Sequence, residues 1–92
     1  MENQSKEQSI RSIINRLQRI EGQVRGLQKM VQDGRDGGEI LTQISAVLSA
    51  TRRVAGAITS YHMQKYVDDG VVADPEAAAA LQALIDAFSR LD

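Results

Sequence analysis

The stretch NRLQRIEGQVRGLQKM, Asn15 to Met30, carries an apolar row and a row of positive charges on what its spacing predicts to be one helix. Ile10, Leu17, Val24 and Val31 recur every seven residues, and Ile13, Ile20 and Leu27 interleave at the other heptad position. That is the seam of a packed or coiled helix. Arg11, Arg16, Arg19, Arg25 and Lys29 fall mostly off the seam, and between Ile10 and Met30 only Glu21 opposes them. The pattern predicts a helix that hides one face in protein and shows arginines on another.

Outward from this stretch, Ser5 with Gln8 three residues on forms a capping-box pattern, so the first helix is expected to run from about 5 to 33. Gly22 and Gly26 lie on one face inside it, which suits a close approach of another backbone or a bend, because glycine weakens a helix by about 1 kcal/mol relative to alanine. DGRDGG, Asp33 to Gly38, is a strong break that suits a tight reversal. A second helix, about 39 to 67, follows with Ile40, Ile44, Val47, Val54, Ile58 and Tyr61 on its stripe. Ser45, Ala46, Ser49, Ala50, Ala55, Gly56 and Ala57 keep much of its surface small, so partner helices can approach closely. Asp74 then reads as an N-cap and Pro75 as a first-turn proline of a third helix, about 75 to 91, whose apolar side is Leu81, Leu84, Ile85, Phe88 and Leu91. The expected fold is all-α: one domain over 1–92, with two long antiparallel helices and one short one.

Composition bounds the function. Ninety-two residues with one Phe, two Tyr and no Trp make a small domain whose core must come from aliphatic faces, so self-association is expected. No run approaches the roughly 18–20 apolar residues of a membrane span, and the polar start MENQSKEQS lacks the apolar stretch of a signal peptide. A cytoplasmic protein without membrane contact is the expectation. The absence of cysteine excludes disulfides and thiolate chemistry within the chain. Charge is unevenly spread: residues 1–65 hold ten Lys/Arg against six Asp/Glu, whereas 66–92 hold one Arg against six acids. The first two thirds therefore favour an anionic partner.

A solvated face with Glu21 pairing to Arg25 would explain part of the arginine row but not its sign imbalance. A basic face without aromatic residues suits the phosphates of a duplex better than stacking on single-stranded bases. No helix-turn-helix signature accompanies it, which leaves sequence reading to a few groove-facing arginines or to DNA shape. His62 is the only histidine, and one His without Cys makes no conventional zinc or copper site from a single chain, although a symmetry-related chain could bring Asp36 or Glu39 beside it. Catalysis finds no support: there is no phosphate loop after a strand, and no nucleophile with a base.

RLQRIEGQVRGLQKMV (Arg16–Val31), ILTQISAVLSATRRVA (Ile40–Ala55) and His62 near the end of the second helix closely resemble the copper-sensitive operon repressor family of bacterial metal-sensitive regulators, the CsoR/RcnR/FrmR type. The resemblance spans about Ile10 to Leu91. It implies a four-helix-bundle dimer built from the two long helices of each subunit, dimers pairing into a tetramer, and a repressor that holds double-stranded operator DNA without a helix-turn-helix. Carried onto this chain, the DNA-facing positions are Arg16 and Arg52, with Arg19, Arg25, Arg53, Arg11 and Lys6 contributing.

The sensor departs from the family. Copper-sensing members resemble one another in a Cys, a His and a second Cys; the matching positions here are Gly37, His62 and Tyr66. Without thiolates Cu(I) has no soft anchor, the formaldehyde- and persulfide-sensing members also resemble each other in using the first Cys, and nickel or cobalt would need more nitrogen ligands. The resemblance thus implies a member with no predicted cofactor, whose effector pocket around Asp36, Gly37, His62 and Tyr66 takes another metal, a small molecule, or nothing. Two readings stay open: a DNA-binding repressor that has lost its Cu(I) site, and a helical oligomer acting as a small-molecule-responsive sensor or interaction protein with weak or no DNA binding.

Overall fold

In the computed structural model, which describes residues 2–68 and 74–91 with side chains from Lys6 onward, the chain is three helices. They are α1 (Glu2–Gln32), α2 (Gly37–Asp68) and α3 (Pro75–Ser89), and no strand is present among the described residues. The fold class is the all-α one expected. Residues 69–73, between the second and third helices, lie outside the described residues, as does the expected capping side chain of Ser5.

Helix α1 starts at Glu2, three residues ahead of the predicted start, because Glu and Gln are good helix formers and continue the helix through Ser5. Its C-terminus is closed by Gly34, the one described residue with positive φ, at 68°. Gly34 N–H donates to the Val31 carbonyl at 3.1 Å and Arg35 N–H to the Met30 carbonyl at 3.0 Å. This paired bonding satisfies carbonyls that the last turn would otherwise leave open, and only glycine adopts the left-handed residue cheaply.

Asp36 starts α2 two residues earlier than expected. Its Oδ2 accepts from Gly38 N–H at 3.1 Å and Glu39 N–H at 3.3 Å, so the two glycines are drawn into the first turn by a capped N-terminus. The Arg35 guanidinium pairs with Glu39 across the same turn. Helix α3 starts with Asp74, whose Oδ1 accepts from Glu76 N–H at 3.1 Å, and Pro75 fills the first position, where no N–H is needed. It ends at Ser89, with Arg90 N–H returning to the Asp86 carbonyl.

Two compact units divide the chain, residues 1–54 and 55–92. The first is a helical hairpin, α1 against the start of α2, joined by Asp33–Asp36. Its large half-buried apolar positions are Ile13, Ile20, Leu27 and Met30 on α1 and Ile40 and Val47 on α2, and Val54 is buried at 3% exposure. Both helices thus contribute a seven-residue period. The heptad seam of α1 is split in two: Ile13, Ile20 and Leu27 are half-buried, whereas Ile10, Leu17, Val24 and Val31 remain 43, 43, 40 and 63% exposed. In the second unit, the end of α2 keeps Ile58, Tyr61 and Tyr66 half-buried, and α3 does so at Ala77, Leu81 and Leu84, while Ile85, Phe88 and Leu91 stay exposed.

Gly22 and Gly26 face no other backbone in the subunit: a Cβ added at either would meet nothing within 4 Å. The close approach suggested by their spacing is therefore not made within the described hairpin, where they sit off the half-buried row of α1.

Candidate nucleic-acid interface

Along the hairpin of the first unit runs an open groove of about 900 Å³. Three arginines of α1, Arg11, Arg16 and Arg19, line it, joined by Arg53 from α2. No carboxylate lines it. All four arginines are exposed, and none forms an ion pair among the described residues. Four uncompensated guanidinium groups on one concavity create a local positive field and present fork-shaped donors that match phosphate oxygens.

The groove exists because α2 offers short side chains opposite the arginines. Ala46, Ser49 and Ala50 line it, and their small size leaves open the space that a leucine would fill. Within the hairpin, Ala46 and Ser49 are exposed beside the groove. The half-buried members of the lining are Ile20, Gln23 and Ala50. Gln23 stands out among them, because its Oε1 is buried without a hydrogen-bond partner among the described residues. A buried acceptor left unsatisfied costs about 1–3 kcal/mol. Neither Gln23 nor Asn15 was singled out by sequence, and Gln8 only as part of a capping pattern, since an amide on a helix face has no signature until its surroundings are known.

The other expected DNA-facing residues lie outside this lining. Arg52 is exposed on α2, Lys6 is exposed near the start of α1, and Arg25 lies 3.7 Å from Glu21 on an open helix surface. An exposed pair of that kind contributes little to stability and takes away part of the free charge.

The four residues of the expected effector pocket fall into different units. Asp36 and Gly37 stand at the start of α2 in the first, and Asp36 spends its carboxylate on the helix N-terminus. His62 and Tyr66 lie near the end of α2 in the second, where His62 is exposed, Tyr66 is half-buried, and the Tyr61 and His62 rings meet edge to face at 5.2 Å. Among the described residues no group of three or more His, Cys, Asp or Glu is placed to hold a metal ion. An imidazole, a phenol and a glycine do not fit a soft metal such as Cu(I), which selects thiolate and thioether ligands.

The hairpin of the first unit thus presents an arginine-lined groove whose positive charge suits an anionic partner. The description "metal-sensitive transcriptional repressor" belongs to the family model that matches residues 9–90. The copper-sensing transcriptional repressor CsoR of Bacillus subtilis (strain 168) is 42% identical over 78 residues, covering 85% of this chain and 76% of the relative. The copper-sensing transcriptional repressor RicR of Mycobacterium tuberculosis (strain ATCC 25618 / H37Rv) is 41% identical over 75 residues, covering 71% of this chain and 78% of the relative. No solved structure gives a significant match. The chain belongs to the metal-sensitive transcriptional repressor family, a family of regulators rather than enzymes.

Proposed function

We propose that this chain is a cytoplasmic, homo-oligomeric repressor that grips double-stranded operator DNA through its arginine groove and does not use Cu(I) as its effector. The observation that supports the DNA reading is the groove itself: Arg11, Arg16, Arg19 and Arg53 with no lining carboxylate. Duplex DNA presents a dense row of phosphates, and each one neutralised releases counterions, so affinity is large at low salt and falls steeply as salt rises. Arg52, Arg25 and Lys6 flank the groove arginines as outer contacts with the phosphate backbone. Among the described residues no helix is long and apolar enough to cross a membrane.

The homo-oligomer is supported by the exposed half of the α1 seam together with Leu41 and Leu48 of α2, at 66 and 55% exposure. Rows of aliphatic side chains spaced by seven on both long helices suit a second copy of the same hairpin, which is how a dimeric four-helix bundle, and a tetramer built from it, would cover them. In such an assembly any effector pocket using Asp36, Gly37, His62 and Tyr66 takes a ligand other than Cu(I), because the chain has no cysteine.

The test is a DNA-binding titration of the chain with its own upstream region over a series of salt concentrations. A steep log–log salt dependence, weakened by Arg16→Ala, is expected; unchanged binding in that variant would remove the groove from the DNA interface. A chelator-competition titration with Cu(I) is expected to show no tight uptake, and stoichiometric high-affinity binding would overturn that part of the reading.

A further inference from the structure

The arginine groove and the exposed aliphatic row lie on opposite sides of the hairpin. Each helical residue is turned about 100° from the last, so Arg19 in the groove stands roughly 200° round α1 from Leu17, and Ala46 in the groove stands roughly 200° round α2 from Leu48. Between the two positions on each helix runs the row that packs the hairpin together, Ile13 and Ile20 on α1 and Val47 and Val54 on α2. The hairpin is thus a two-sided ribbon. One side carries Arg11, Arg16, Arg19 and Arg53, and the other carries Leu17, Val24, Leu41 and Leu48, each at least 40% exposed.

We infer that the oligomer holds two separate segments of duplex DNA at once, one in the arginine groove on each outer face, and so bridges them. Bridging rests on the DNA reading and the self-association proposed above. A second copy that covers the aliphatic side about a two-fold axis uses the same patch on both subunits, so each hairpin turns its groove outward and away from the other. Two helix layers about 8–10 Å apart, with their side chains, make a body about 20 Å thick. Duplex DNA has a persistence length of roughly 150 base pairs and does not turn through a half circle around so thin a body. The second groove therefore takes a second segment. Repulsion between the two segments is weak across that thickness, because the Debye length is about 8 Å at physiological salt.

The experiment immobilises a duplex of the chain's own upstream region, loads it with the full chain, and then offers a fluorescent second duplex of the same sequence in solution. Wild type is expected to bind the immobilised duplex and to capture the second one. Leu17→Glu, at an exposed position of the aliphatic side, is expected to bind the immobilised duplex as a smaller species and to lose capture. Because Leu17→Glu also removes a stabilising contact between copies, wild type supplies a second measurement: light scattering of the saturated complex, in which two or more duplexes per oligomer are expected. Binding of the immobilised duplex without capture, a single duplex per saturated oligomer, or undiminished capture by a helical Leu17→Glu chain of lowered mass overturns bridging and leaves the DNA reading standing. No binding of the immobilised duplex sinks the DNA reading and bridging together.

Discussion

Arg52 and Arg53 are adjacent in sequence, yet only Arg53 lines the groove. Successive residues on a helix are turned about 100° apart, so only one of the pair reaches the lining. Arg53→Ala is therefore expected to weaken DNA binding more than Arg52→Ala and to lower the log–log salt slope by about 1, which a salt series on both variants would reveal. Arg25→Ala should cost less than either, because Glu21 at 3.7 Å already offsets part of its charge. Equal losses in all three would show that the groove has no privileged role. The sign of this surface could be read from the residue list, since one Glu against a row of arginines needs no coordinates. The membership of the groove could not, because it depends on which side of α2 turns toward α1.

At the scale of the helices, the hairpin is set by two caps. Gly34 at φ 68° ends α1 and Asp36 starts α2, with only Arg35 between them. Gly34→Ala places a Cβ in the left-handed region and is expected to cost about 1 kcal/mol. Asp36→Ala removes the acceptor of two N–H groups at a similar cost of about 1 kcal/mol. Each should lower Tm by a few degrees in a thermal melt, and an Asp36→Asn variant should recover most of its loss. The glycines inside α1 predict the opposite sign. Since a Cβ at Gly22 or Gly26 meets nothing within 4 Å, Gly22→Ala and Gly26→Ala are each expected to raise stability by up to about 1 kcal/mol. A drop in Tm for either would show that the backbone of a second subunit comes close at that point. The break at DGRDGG was legible because glycine and aspartate have specific uses at helix ends, whereas the few extra residues at the starts of α1 and α2 were not, because helix ends shift by a residue or two with little cost.

For the molecule as a whole, one buried residue among those described, Val54, is too little core for an independent fold of this length. Stability should come from association, so Tm is expected to rise with protein concentration. Leu17→Glu, on the exposed row of α1, should lower the sedimentation-derived mass and Tm together, whereas Arg16→Ala should lower only DNA affinity. A Leu17→Glu chain of unchanged mass would show that this row is not an interface. By itself the sequence determined the three helices, their breaks, the aliphatic periodicity and the basic sign of the first two thirds, because these follow from local propensity, spacing and charge. Only the tertiary structure decided that the seven-residue seam of the Asn15–Met30 helix divides into a packed row and an open one, and that Arg53 joins three arginines of α1 along one groove. Those outcomes depend on how one helix is rotated against the other, and that rotation is settled by the packing of both faces at once.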